Sequence, residues 1–93
     1  MIKIEGNYIY RGGEKVGYVD GHNIRAVDGK HLGYFDDKFI YDEDGHKLAY
    51  IEGDHLWPED NGEKVELVEI NEKLVGGVLP EIAKCAVYVL LGD

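Results

Sequence analysis

One seven-residue step occurs four times along this chain. Gly13-Glu14-Lys15-Val16-Gly17-Tyr18-Val19 returns as Gly29-Lys30-His31-Leu32-Gly33-Tyr34-Phe35, then as Gly45-His46-Lys47-Leu48-Ala49-Tyr50-Ile51. A worn copy follows as Gly62-Glu63-Lys64-Val65-Glu66-Leu67-Val68. The leading glycines lie 16, 16 and 17 residues apart (29−13, 45−29, 62−45). A period this short holds one small supersecondary unit per copy. Such a unit cannot bury its own apolar face, so the copies must share a core.

The turn residues say what the unit is. Asp28-Gly29, Asp44-Gly45 and Asn61-Gly62 are two-residue hairpin signals, because both central residues of a type I′ turn need positive φ. Gly12-Gly13 takes the same place in the first unit. Short runs precede each turn, Ile9-Tyr10, Ile24-Arg25, Ile40-Tyr41 and Leu56-Trp57, and a second strand follows it. Acidic or glycine turns at Asp20-Gly21, Asp36-Asp37 and Glu52-Gly53 join the units. Counting outward from Asp28-Gly29 sets Ile24 against Gly33, Asn23 against Tyr34 and Arg25 against Leu32. The third unit sets Ile40 against Ala49, Phe39 against Tyr50 and Tyr41 against Leu48. Both hairpin faces are then partly apolar, less cleanly alternating than a sheet with one wet face. The small residue at Gly17, Gly33 and Ala49 marks a place where another chain segment comes close. Pro58 has no N–H to donate, so its strand ends there or lies at an edge.

The period breaks at residue 71. Pro80 suits a first helical turn. Leu79, Ile82, Ala83, Ala86, Val87 and Leu90 then make a helical stripe, and Cys85, Val89 and Leu91 fall outside it. A helix apolar on most sides is buried on most sides. Four short hairpins cover one side, so the rest calls for a second protomer or another protein. The sequence therefore predicts a homo-oligomer, a dimer by preference, with Ile82, Cys85, Val89 and Leu91 at its interface. The fold class is mainly β: eight short strands in four tandem hairpins about a pseudo-symmetry axis, then one apolar helix. Its single domain divides into a repeat body (1–69), a linker (70–79) and the helix (80–91).

Charge narrows the partners. Residues 36–72 carry 13 acids and 3 bases, a net of −10, and the remainder carries 6 acids and 7 bases, a net of +1. An acidic half repels nucleic-acid phosphates and attracts a basic protein surface. Cys85 is the only cysteine, which excludes an internal disulfide and suits a reducing, cytoplasmic setting. No basic stretch leading into an apolar one opens the chain, so no signal peptide is expected. The longest apolar run, Cys85–Leu91, is far too short for a membrane span.

Four hairpins with a [VL]-[GA]-Y step and Asp-Gly or Asn-Gly turns, followed by Gly76-Gly77 and Pro80, resemble the 4-fold beta flower proteins. The likeness covers about residues 4–69. It implies small bacterial proteins whose hairpins radiate like petals about a pseudo-fourfold axis, and no established activity. The fourth copy departs from the pattern, with Glu66-Leu67 where aromatics are usual.

Catalytic and metal chemistry finds little support. His22, His31, His46 and His55 lack metal-ligand spacing and a cysteine partner. Asp42-Glu43-Asp44-Gly45 fails as a calcium loop, because Ile40 and Ile51 fall where acids are required. No nucleophile elbow or phosphate loop is present, and no cofactor is expected. One constellation remains. Tyr10, Arg25, Tyr41 and Trp57 occupy equivalent places in the four units, where symmetric petals would set them in a ring around a flat ligand or a protein loop. The reading is a non-catalytic binding or interaction module, homo-oligomeric through its helix. The alternatives are an acidic inhibitor of phage or mobile-element type, which blocks a basic nucleic-acid-binding protein through residues 36–72, and an oligomer that sequesters a small molecule.

Overall fold

The computed structural model describes residues 2–60, 62–77 and 79–92. Nine strands follow one another as antiparallel neighbours: β1 (Ile2–Glu5), β2 (Tyr8–Arg11), β3 (Glu14–Asp20), β4 (Asn23–Ala26), β5 (His31–Phe35), β6 (Phe39–Asp42), β7 (Lys47–Glu52), β8 (His55–Pro58) and β9 (Val65–Glu66). Helix α1 (Leu67–Lys73) leads to β10 (Leu74–Val75), which pairs parallel with β1, and helix α2 (Glu81–Leu91) closes the fold. The chain is mainly β with a C-terminal helix, as its repeats require.

Three features depart from the sequence reading. β1 is an added strand: Ile2 and Ile4 are buried while Lys3 and Glu5 are exposed, the alternation of a half-wet strand. The last repeat keeps only Val65–Glu66 as strand. Beyond it Leu67, Ile70 and Leu74 fall at helical spacing, and Glu69 and Lys73 suit the two ends of the α1 dipole. The linker of residues 70–79 therefore holds the end of α1 and all of β10, and Ile70 and Leu74 belong to the core. Of the Asn61-Gly62 turn, Asn61 lies outside the described residues, and Gly62 is not at positive φ.

The turns shift as well. The joints between units are two-residue loops at Gly21-His22, Asp37-Lys38 and Gly53-Asp54, one residue later than the sequence count placed them, and a fourth such loop at Gly6-Asn7 joins β1 to β2. Asp28-Gly29 lies in a three-residue loop. Gly29 N–H donates to the Ala26 carbonyl (2.9 Å), Ala26 N–H donates to the Lys30 carbonyl (2.8 Å), and Gly29 sits at φ 92°. This is a type I turn closed by a left-handed glycine, and Asp42–His46 repeats it with Gly45 at φ 86°. The first three units also carry a β-bulge. Ile24 faces Gly33 and Ile40 faces Ala49 as expected, but Arg25 faces His31 rather than Leu32, and Tyr41 faces Lys47 rather than Leu48. The first unit has the same break between Ile9 and Tyr10. The extra residues Val16 and Leu32 turn back against the core, which explains the untidy alternation. Bulges bend and twist the strands that carry them. Repeated in three successive units, they curl the sheet.

The curled sheet carries its repeat on the inner face as four cross-strand rows. These are Ile4–Ile9–Gly17–Ala26, Val19–Ile24–Gly33–Asp42, Phe35–Ile40–Ala49–Pro58 and Ile51–Leu56–Val65. Ile9, Ile24 and Ile40 are wholly buried. α2 lies over the small residues, with Leu91 on Gly17 and Leu90 on Gly33. A Cβ at Gly33 would fall 2.8 Å from Leu90 Cδ1 and hard against the Tyr41 carbonyl oxygen. Crowding at the small position thus comes from both a neighbouring strand and the helix. Gly76 and Gly77, at φ 82° and 81°, press on Ile4 and turn the chain from β10 toward α2. Arg11 Nη2 donates to the Leu91 carbonyl, a cation at the negative end of the helix.

This packing corrects one expectation. Ala83, Cys85, Ala86 and Val87 are buried within the single chain, with Cys85 at 0% exposure. The sheet and α1 cover the side of α2 that bears these four residues, so Cys85 is a core residue of the single chain. Ile82, Val89 and Leu91 remain half-buried.

Candidate functional site

Residues that alternate with the inner rows point outward, and there the repeat builds a second set of rows. One runs Glu5–Tyr8–Tyr18–Arg25–His31 across β1 to β5, and the next runs Asp20–Asn23–Tyr34–Tyr41–Lys47 across β3 to β7. The third runs Asp36–Phe39–Tyr50–Trp57 across β5 to β8. Each begins with an acid and continues into aromatic rings, and the first two end on a basic residue. Tyr34 and Tyr41 stack at 4.7 Å between centroids and 16° between planes. Phe39 and Tyr50 meet at 5.9 Å, and Tyr8 and Tyr18 at 6.5 Å. Lysine ammonium groups lie over the rings: Lys15 Nζ is 3.9 Å from the Tyr8 centroid and Lys47 Nζ is 4.0 Å from that of Phe39.

Tyr10, Arg25, Tyr41 and Trp57 all lie on this outward face, on β2, β4, β6 and β8. They stand on alternate strands, about 10 Å apart at ordinary strand spacing. On the outside of a curled sheet they diverge instead of converging on one ligand. Arg25, Tyr41 and Trp57 pair with nearer neighbours. Arg25 Nε is 3.4 Å from Asp20 Oδ2, and its Nη1 donates to the Gly29 carbonyl (3.1 Å). Tyr41 donates its hydroxyl to Asp36 Oδ2 (2.7 Å), and Trp57 Nε1 donates to the Glu52 carbonyl (3.3 Å). The sequence reading named no site residue in the other half of the surface, Tyr18, Tyr34 and Tyr50. Its signal was the tyrosine of each repeated step, which alternates with the buried small residue and so must face outward.

The titratable groups are arranged for structure. Asp36 Oδ1 accepts the N–H groups of Lys38 (3.0 Å) and Phe39 (2.7 Å). Those bonds and the Tyr41 hydroxyl hold its carboxyl below the usual range. The shared proton bond to Asp36 in turn pushes the Tyr41 phenol up. Asp42 accepts N–H groups from His46 and Asp44, both at 2.9 Å, and is lowered chiefly by the first. Asp42, Asp44 and His46 offer three ligand atoms within 4.8 Å of one another, on an exposed turn whose central carboxylate is already bonded to its own backbone. Burial, with Glu81 adding to it, pushes the Cys85 thiol up to about 12. A thiol held that high is not a nucleophile at neutral pH.

Two clefts open at the end of the sheet where the two-residue loops lie. One, about 460 Å³, runs between those of the first three units and the start of α2. The other, about 470 Å³, lies between β8, β9 and α1 and is walled by Asp54, Glu66 and Glu81. Among the described residues no helix is long and apolar enough to cross a membrane.

No curated protein and no solved structure matched the chain. The sequence pattern of the 4-fold beta flower proteins matches residues 2–74, which takes in the nine-strand meander, α1 and the start of β10. With the four inner rows and the four tight joints already placed, that span covers every unit of the repeat, and the chain belongs to the 4-fold beta flower protein family.

Proposed function

We propose that this protein is a non-catalytic interaction module that self-associates through the outward face of its sheet. The observation that carries this reading is the composition of that face: rows of half-exposed tyrosines, Phe39, Trp57 and Arg25 on a rigid sheet. Aromatic residues and arginine are the side chains enriched at the centres of protein interfaces. They give large contact area at small entropic cost. A contiguous apolar surface of this kind is uncommon on a protein that stays alone. The enclosure of α2 by its own chain removes most of the reason to place the contact on the helix, although Ile82, Val89 and Leu91 stay half-exposed there. We place the protein in the cytoplasm, where a lone thiol stays reduced.

Sedimentation over a concentration series tests this. The native chain is expected to associate, Tyr34→Glu to sediment as a monomer, and Val89→Glu to associate as the native chain does. A native chain that stays monomeric overturns self-association. Dissociation by Val89→Glu alone returns the contact to Ile82, Val89 and Leu91.

A second reading, a basic protein as partner, is favoured by the α1 surface. Val68 is 58% exposed there, between the exposed carboxylates of Glu66, Glu69 and Glu72. Apolar contact ringed by acids suits lysine and arginine side chains, whose stems are apolar and whose heads are charged. Binding that falls with salt and with Val68→Lys supports it.

A further inference from the structure

We infer that the cleft at the start of α2 is a binding site for a small cationic amine carried on an aromatic or alkyl body. The argument begins with the floor. Val19 and Phe35 come from the inner face of β3 and β5, and Ala83 and Ile82 from the first turn of α2. Val19, Phe35 and Ala83 are at most 6% exposed, so they are held in place by the core below them. Leu79 adds an apolar side wall. The cleft holds about 460 Å³, within the range of small-molecule sites, and its walls come from four separate chain segments. It is a place the fold builds, not a gap under one loop.

The rim gives the charge. Asp36 and Asp37 stand at one lip, and no lysine or arginine lines the cleft among the described residues. Asp36 is fixed by the Lys38 and Phe39 N–H groups, which hold its carboxyl below the usual range, so it stays ionised well into acid. Among the described residues the other titratable group in the wall is His22, whose ring lies against Phe35 at 5.2 Å between centroids. The adjoining hollow over Tyr8 and Tyr18 shares Asn7 and Val19 with this cleft and adds Asp20, whose carboxylate is paired with Arg25. An apolar floor selects an apolar body. The Asp37 carboxylate on the lip, beside an Asp36 whose two oxygens are already bonded to Lys38, Phe39 and Tyr41, then selects an ammonium over a hydroxyl, and both over a carboxylate. Every lining residue belongs to one chain, so the inference stands independently of self-association.

Amide chemical shifts of the 15N-labelled full chain, followed during titration with phenethylammonium, test it. The isostere 2-phenylethanol and the anion 3-phenylpropionate serve as comparisons. Expected are shifts grouped at Asn7, His22, Phe35–Asp37 and Ile82–Ala83, at least tenfold tighter binding of the amine than of the alcohol, and no response to the carboxylate. Asp37→Asn should bring the amine down to the level of the alcohol, while Asp44→Asn in a turn at the other end of the sheet leaves it unchanged. The spectra themselves report that each variant is folded. Absence of shifts with the amine up to millimolar, shifts centred on another surface, or equal binding of amine and alcohol would each overturn the proposal. So would a native affinity in Asp37→Asn.

Discussion

Two kinds of side chain hold this fold at the scale of the residue: small ones at points of contact, and aspartates that tie their own turns. Gly33 is the sharpest case of the first. A side chain there meets the Tyr41 carbonyl on one side and Leu90 on the other. Gly33→Val is expected to cost about 3 kcal/mol, the upper part of the overpacking range, because a backbone carbonyl cannot swing aside. Gly62→Ala should stay within about 0.5 kcal/mol. Gly62 is exposed and outside the left-handed region, and its new methyl would touch only Asp60 Oδ1 at 3.1 Å and the Pro58 ring at 3.3 Å. Urea melts of the two variants check the order. Asp36 represents the second kind. Its carboxyl is lowered in the folded chain by the bonds from Lys38, Phe39 and Tyr41. A depressed folded value means that its stabilisation is fully present above the unfolded carboxylate range and is lost as pH falls through the folded one. Asp36→Asn should therefore melt below the native chain near neutral pH, and the two should converge in acid, as pH falls through the lowered range of the folded carboxyl. Melts that stay equally far apart at both pH values would mean that the charge contributes nothing.

Among the elements, those built on turn chemistry and β-alternation were legible in the sequence, and those built on tertiary packing were not. The glycine-led period gave the hairpins, and Ile24 opposite Gly33 and Ile40 opposite Ala49 came out as counted. The bulge did not, because a three-residue loop with a left-handed glycine and a two-residue loop share the same Asp-Gly signature. β1 could have been read from Ile2-Lys3-Ile4 ahead of Gly6, which stands to the first joint as Gly21 does to the second. α1 was hidden by the repeat itself. Its sequence continues the fourth copy, yet Leu67, Ile70 and Leu74 have the spacing of a helix that closes the gap between β9 and β10. If α1 is part of the core, Ile70→Ala should cost about 2–5 kcal/mol, since Ile70 is 1% exposed. Val68→Ala, on the exposed side of the same helix, should change stability by less than about 0.5 kcal/mol. Equal costs in guanidinium unfolding would make α1 a loosely attached arm. The candidate surface was half legible for a related reason. The four side chains before the turns were identified, but their ring presumed petals that converge, and a sheet curled around a helix sends its outward residues apart.

On the scale of the whole molecule, one strand meander wraps one helix, and the two faces of the sheet divide the work. The inner rows bury α2, and the outer rows present aromatic rings and cations. The acidic residues concentrate toward the β7-to-α1 end, where Asp54, Glu66 and Glu81 wall a cleft of their own. This arrangement buries one side of the helix, at Ala83, Cys85, Ala86 and Val87, within a single chain, which a sequence reading could not see. Cys85, Val89 and Leu91, outside the helical stripe, look like surplus apolar surface until the curl of the sheet and the position of α1 are known. The most direct measurement is native-state hydrogen exchange of the α2 amides across a dilution series. The account predicts that Cys85, Ala86 and Val87 are among the slowest-exchanging residues, with protection unchanged from concentrated to dilute protein. Protection at these three positions that falls away on dilution would contradict it, because the cover over α2 would then belong to another chain.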